Sequence, residues 1–278
     1  MIGQNVLRAE FQKLLNEDKF PNAMLLSGSK GSGRKTLLRT VFPDAIWLEE
    51  AKVDAIRSII ELANQVQSRV FILADIDTLS ASGKQALLKV LEECPNNNKF
   101  ILTVEDPANV TSTIRSRVRQ YHMVVYTPQE IMQYIAETYP NDEKKIAFIS
   151  KVAETPGEVN ELWSYDTEEF EKFVMSVFNS IEKASGANVF KIANRLSLKE
   201  DDGKWSIALF LKVFSNLCIQ AVTKHLSESE NKASLLKYSR GCTVCSKYIQ
   251  QLRLATINKQ FLLDSWILEI RRQWMSLD

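Results

Sequence analysis

The chain has 278 residues, with 35 Lys and Arg against 34 Asp and Glu, a formal net charge of +1 and 45% hydrophobic residues. That length allows two or three domains around a sizeable core, and the even charge balance argues against a protein that works by holding nucleic acid alone on a basic surface. Four scattered cysteines (Cys94, Cys218, Cys242, Cys245) exclude a disulfide framework, and with no signal-peptide pattern at Met1-Ile2-Gly3-Gln4-Asn5 and no apolar run approaching a membrane span, a soluble cytoplasmic protein without a membrane partner is expected.

Residues 1–20 read as a helix, with Val6, Phe11, Leu14 and Leu15 near helical spacing. Phe20-Pro21-Asn22 breaks it and leads to a short strand, Ala23-Met24-Leu25-Leu26. A glycine-rich loop follows and opens a helix that ends near Phe42-Pro43-Asp44. Ala45 to Leu48 is a candidate strand, and Val53 to Val66 is helical, with Ile56, Ile59, Ile60 and Ala63 three to four apart. Arg69 to Ala74 and Phe100 to Val104 are β-branched and aromatic runs that should form buried parallel strands. Between them lie a helix from Ser82 to Glu93 and a turn at Cys94 to Asn98. A short helix over Asn109 to Arg117 and a last strand from Gln120 to Val125 complete an alternating series, which calls for a parallel sheet covered on both faces.

After Tyr126 the pattern changes. Thr127-Pro128-Gln129-Glu130 is a capping box with proline at the first helical position. Helices follow at roughly 128–138, 142–153 and 157–164, then an apolar stripe of Phe170, Phe173, Val174, Val177, Phe178 and Ile181. Ser185-Gly186-Ala187 and Glu200-Asp201-Asp202-Gly203 read as turns, and a final helix at about 257–275 carries Leu263, Ile267, Ile270 and Trp274.

Strand, glycine-rich loop and helix at Gly28-Ser29-Lys30-Gly31-Ser32-Gly33-Arg34-Lys35-Thr36 suit a phosphate, because successive N–H groups point inward and a helix N-terminus backs them. In the nucleotide-hydrolysing pattern G-x-x-x-x-G-K-[ST], the glycines fit Gly28 and Gly33. Arg34 stands where Lys is expected, and Lys35 stands where a hydroxyl should hold magnesium. Thr36 comes one residue late.

Phe71 to Asp77, Ala86-Leu87-Leu88-Lys89-Val90-Leu91-Glu92-Glu93-Cys94-Pro95, Phe100 to Thr103 and Thr113-Ile114-Arg115-Ser116-Arg117 follow in order. Together with the loop, they resemble the clamp-loader branch of the AAA+ ATPases, and within it the delta-prime subunits of bacterial polymerase III loaders. The resemblance covers residues 1–165 and is weak over 166–278. It implies an AAA+ α/β domain with a parallel sheet at 1–125, a small helical lid domain at 126–166 and an all-helical collar for oligomerisation at 167–278. On its register the metal-binding Asp falls on Ala74 and the water-activating Glu on Asp75. The polar sensor residue falls on Asp106, and Glu158, in Thr155-Pro156-Gly157-Glu158, takes the place of a sensor arginine. Only Ser116-Arg117 is intact, and in the family this arginine enters a neighbouring subunit's ATP site.

The implied function is a non-hydrolysing clamp-loader subunit. Its partners would be the other loader subunits of a hetero-pentamer, a sliding clamp and, through the assembly, primed DNA. No cofactor is required, and ATP or ADP would bind the degenerate loop (Gly28, Gly31, Ser32, Gly33, Arg34, Lys35, Thr36, with Asp75) only weakly, without a well-formed magnesium site. Two other readings stay open: an ATP-hydrolysing small subunit or other AAA+ motor that uses Arg34 and Asp75, and an interaction protein that keeps only the fold. Cys242-Thr243-Val244-Cys245 has the spacing of half a zinc site but reads as helix, and residues 40–60 lack the cysteines of the zinc module that relatives carry there. Lys84, Lys89, Arg115 and Arg119 could line a DNA channel, although a solvated face serves equally well.

Overall fold

A computed structural model describes residues 2–49, 52–181, 186–201, 205–227, 232–252 and 258–275. The first half alternates: α1 (Asn5–Asn16), β1 (Ala23–Ser27), α2 (Arg34–Val41), β2 (Ile46–Leu48), α3 (Val53–Gln65), β3 (Val70–Leu73), α4 (Ala81–Glu93), β4 (Lys99–Val104), α5 (Ser112–Arg115) and β5 (Arg119–His122). The five strands form one parallel sheet in the order β2-β3-β4-β1-β5.

Both faces of the sheet are covered, which is why its strands read as unbroken apolar runs rather than alternating ones. Successive side chains point to opposite faces. Leu25, Phe71, Leu73, Phe100 and Leu102 therefore pack against Ile56, Ile59 and Ala63 of α3 and Leu87, Val90 and Leu91 of α4. Met24, Leu26, Ile72 and Ile101 pack on the other side against Phe11 of α1 and Leu37 and Leu38 of α2. Each of these buried Val, Leu, Ile, Met and Phe side chains contributes about 2 kcal/mol of transfer free energy. Phe71 and Phe100, paired across β3 and β4, stack at a centroid distance of 5.3 Å.

Three local expectations are corrected. Val6 is 77% exposed, and Leu7 is the buried residue of that turn, since the face of α1 that meets the core runs through Leu7 and Phe11. The last strand stops at His122 instead of Val125. The backbone of Val124 is satisfied by an amide side chain: its N–H donates to Gln4 Oε1 (2.8 Å) and its carbonyl accepts from Gln4 Nε2 (2.6 Å). The helix expected over Asn109 to Arg117 is only Ser112–Arg115, preceded by a 3-10 turn at Pro107–Asn109 that Asp106 caps.

The second half is helical among the described residues: α6 (Pro128–Thr138), α7 (Glu143–Val152), α8 (Pro156–Trp163), α9 (Thr167–Ser180), α10 (Gly186–Asp201), α11 (Ile207–Ser227), α12 (Lys232–Gln251) and α13 (Lys259–Met275). The capping box forms, with Glu130 N–H donating to Thr127 Oγ1 (3.2 Å) and Thr127 N–H to Glu130 Oε2 (2.8 Å). By packing, the chain divides into two compact units, 1–141 with 153–159 and 142–152 with 160–278. Gly186 and Ala187 belong to α10 instead of a turn, as do Glu200 and Asp201; Ser185, Asp202 and Gly203 lie outside the described residues.

The helical unit has an aromatic core. Phe210 and Phe214 of α11 meet Trp266 of α13 edge to face at 5.5 and 5.1 Å. Gly241 of α12 lies so close to α11 that a Cβ there would stand 2.8 Å from Cys218 Sγ. Contrary to expectation, one stretch among the described residues, Ile207–Leu226, is long and apolar enough by composition to cross a membrane. It is apolar around much of its girth because it packs against α12 and also meets α9 and α10, burying Leu209, Phe210, Leu211, Val213, Phe214 and Cys218.

Candidate functional site

The glycine-rich loop leaves β1 at Ser27, at the carboxyl edge of the sheet, where ligands bind in open α/β folds. Gly31 (φ 80) and Gly33 (φ 86) take left-handed backbone that other residues avoid. The loop is tied to the start of α8: Gly157 N–H donates to Gly31 O (3.0 Å), and the two glycines are so close that a Cβ on Gly31 would meet Gly157 Cα at 2.8 Å. Tyr126 donates its hydroxyl to Ser32 O at 2.9 Å. Ser32 Oγ and Arg34 Nη1 are both buried without a hydrogen-bond partner.

The charged groups converge on one acid. Arg34 Nη2 donates to Asp75 Oδ1 (3.2 Å), and Lys35 Nζ lies 3.1 Å from Asp75 Oδ2. Lys35 also pairs with Glu49 Oε2 (3.3 Å), whose other oxygen takes Arg39 Nη2 at 2.5 Å. Burial opposes the charge on Lys35, but the hydrogen bonds and charges of Asp75 and then Glu49 outweigh it and hold its pKa above the ordinary lysine value. Asp75 is itself fixed. Its backbone is left-handed (φ 52), its N–H donates to Thr103 Oγ1 (2.9 Å), and its carbonyl accepts from Thr78 Oγ1 (2.8 Å).

The other positions of the expected site have local roles here. Ala74 is buried and its N–H donates to Leu48 O. Asp77 Oδ2 accepts from Glu105 N–H (3.3 Å), and Asp106 Oδ1 accepts from Ala108 N–H (2.8 Å). Glu158 Oε2 accepts from Glu154 N–H (2.7 Å) beside the loop. Thr36, one residue past the magnesium position, is exposed on α2.

Ser116 and Arg117 are not brought to the loop. Arg119, two residues on, pairs with Met24, whereas the loop leaves β1 at Ser27, which pairs with His122. In parallel strands this sets Arg117 at the amino edge of the sheet and the loop at the carboxyl edge, with most of β1, at about 3.3 Å per residue, between them. Arg117 Nε and Nη2 donate to Glu92 Oε1 at 2.7 and 2.6 Å, and Nη1 donates to Thr113 O at 2.7 Å. Ser116 Oγ turns back to the same carbonyl at 3.0 Å.

Thr103 escaped the sequence reading. A hydroxyl inside the apolar run Phe100 to Val104 was the available signal, because a fully buried polar group needs a partner. Glu49 left no such signal, since only the fold sets it beside Lys35 and Arg39. Cys242 and Cys245 are helix residues of α12, as expected. The hydrogen bond from Cys218 brings the Cys242 thiol down to about 7, while burial pushes Cys245 up to about 12. Of the basic residues, Lys84 Nζ donates to Asn109 O (3.3 Å) and Arg119 lies over the ring of Tyr121.

The chain is similar to known proteins over part of its length. A family model described as DNA polymerase III, delta subunit, matches residues 40–126. The chain is 24% identical over 194 residues to DNA polymerase III subunit tau/gamma of Haemophilus influenzae, covering 55% of this chain and 28% of that protein. It is 28% identical over 168 residues to subunit tau of Bacillus subtilis, covering 48% and 30%, and 26% identical over 193 residues to subunit gamma of Buchnera aphidicola from Schizaphis graminum, covering 55% and 53%. The chain thus spans between 28% and 53% of the length of these relatives. A solved gamma subunit-related protein of Thermotoga maritima aligns over 95% of this chain and 99% of its own, at 15% identity and a TM-score of 0.46. The parallel sheet with its glycine loop and the helical second half form an α/β domain followed by helices, the fold class expected from the sequence. Over about half of its length the chain is similar to the DNA polymerase III gamma and tau subunits, and over residues 40–126 to the polymerase III delta family model.

Proposed function

We propose that the chain is a clamp-loader subunit of the delta-prime type. It hydrolyses no ATP itself and supplies Arg117 to the ATP site of an adjacent motor subunit while a sliding clamp is loaded onto primed DNA in the cytoplasm. The observation that carries this reading is the split between the two edges of the sheet. At the loop, the two cations that would meet a phosphate are engaged by Asp75, which stands at the water-activating position, while Ala74 leaves the metal-binding position without an acid. At the opposite edge Arg117 is 36% exposed and cannot serve its own loop. A nucleotide is not required in this chain. ATP or ADP that enters the loop competes with Asp75 for Arg34 and Lys35 and binds weakly, without a well-formed magnesium site.

The purified chain is expected to show no ATPase above background, whereas turnover near ~1 per second, an ordinary enzyme rate, would favour an ATP-hydrolysing subunit. In a loader reconstituted with the host's motor and clamp-opening subunits, Arg117→Ala should leave assembly intact and depress ATP hydrolysis. An arginine supplied in trans is worth about 10³–10⁵ in rate in GTPases. An unchanged rate would remove the finger assignment.

A further inference from the structure

Arginine carries five N–H donors in a rigid planar fork, and in Arg117 they are unevenly used. The Nε/Nη2 edge is closed by a single oxygen, Glu92 Oε1, at 2.7 and 2.6 Å. Nη1 donates to Thr113 O at 2.7 Å and, over a longer 3.4 Å, to Ser116 Oγ. The Nε/Nη2 edge is thus held by a carboxylate, and the Nη1/Nη2 end, the end with which arginine takes two oxygens of a phosphate at once, faces no acid.

We propose that Glu92 is the positioning residue for Arg117: it holds the Nε/Nη2 edge so that the Nη1/Nη2 end is presented to the γ-phosphate of a neighbouring subunit's ATP. The proposal rests on the reading of Arg117 as a finger in trans. Glu92 is suited to the task because it stands on the last turn of α4, a long helix whose Leu87, Val90 and Leu91 are anchored in the core, while Thr113 belongs to the separate short helix α5. Two independent elements therefore fix one guanidinium. A freely rotating arginine forfeits up to about 2 kcal/mol of rotamer entropy on being ordered, and a group already held in its working geometry avoids that loss at the moment of reaction. Fold stability does not account for the pair. Its partners are 36% and 51% exposed, and exposed ion pairs contribute little. The carboxylate charge has a cost, since it partly neutralises the guanidinium that should meet a phosphate. The oxygen's role as acceptor, more than its charge, is what the geometry uses.

The test is a reconstituted full loader in which only the ATP site facing this chain keeps its phosphate-loop lysine, so that hydrolysis reports on one site. Arg117→Ala should lower the single-site rate by about 10³-fold, the lower end for such fingers. Glu92→Ala should lower kcat by about tenfold, in line with the cost of a misplaced catalytic group, with KM for ATP unchanged. Glu92→Gln keeps the accepting oxygen without the charge and should hydrolyse at least as fast as the natural chain. In the Arg117→Ala background, Glu92→Ala should have no further effect. A slow Arg117→Ala loader with normal or faster Glu92→Ala would overturn the positioning role and make the pair a lock on the finger or a bystander. Glu92→Gln as slow as Glu92→Ala would likewise overturn it. If Arg117→Ala itself hydrolyses normally, the finger reading fails first, and the two failures are told apart by that single variant.

Discussion

Arg34 is 9% exposed, and its Nη1 is buried with no hydrogen-bond partner. A guanidinium in that position needs an opposite charge, and Asp75 supplies it at 3.2 Å. The loop's cation is therefore drawn toward the end of β3. If Asp75 occupies the place of a phosphate in the charge balance, Asp75→Asn should leave Arg34 and Lys35 seeking an anion. The expected result is ADP bound about tenfold more tightly, because one competing ion-pair partner worth roughly 1–2 kcal/mol has gone. Without nucleotide, the variant should be about 1–3 kcal/mol less stable, the cost of a largely buried charge left with weaker compensation. Titration with a fluorescent ADP analogue and urea unfolding check the two halves, and unchanged or weaker ADP binding would refute the competition. The sequence showed that one acid was missing but not that the remaining one would clamp the loop. That depends on the left-handed turn at Asp75 and its tie to Thr103, which only the adjacent β4 provides.

On the scale of elements, the alternating half was legible because its physics is local. Buried parallel strands must be apolar along their length, glycine and proline mark the breaks, and a capping box names a helix start. Every strand of the sheet appears where the run of Ala23, Ile46, Val70 or Phe100 called for it, and β5 missed only at its end, where Gln4 replaces a neighbouring strand for Val124. Gly186 and Asp201, expected in turns, are the first and last residues of α10, so the helix reaches two residues into each expected turn, as helix ends commonly do. Invisible in the sequence was the contact between residues 31 and 157, far apart in the chain. A Cβ on Gly157 would stand 2.3 Å from Gly31 Cα, backbone against backbone, with no flexible side chain to yield. Gly157→Ala should therefore push the loop away from α8 and cost about 2–4 kcal/mol, as overpacking with a lost buried hydrogen bond does. Chemical denaturation measures it, and a change below about 0.5 kcal/mol, the range of an ordinary surface substitution, would show that the loop shifts freely.

On the scale of the molecule, the question is where a loader subunit would be gripped. Helix α13 buries Leu262, Leu263, Trp266, Ile267, Ile270 and Trp274, yet it also carries Phe261, Leu268 and Met275, which are 70%, 47% and 54% exposed. Their seven-residue spacing puts them in one stripe along the helix, away from the buried residues. Single exposed apolar residues mean little, but an aligned row of large ones on a core helix is a surface to test for contact with another chain. In the proposed role that chain is another loader subunit. The double substitution Phe261→Asp with Leu268→Asp should leave the chain as stable as before, within about 0.5 kcal/mol, because neither side chain is in the core. The same variant should fail to enter the loader when mixed with the motor and clamp-opening subunits. Size-exclusion chromatography with light scattering separates the cases: the natural chain and Arg117→Ala run with the assembly, and the double variant runs alone. If the double variant assembles normally, α13 is not the grip. If Arg117→Ala also falls out, Arg117 acts in assembly and not in its neighbour's chemistry.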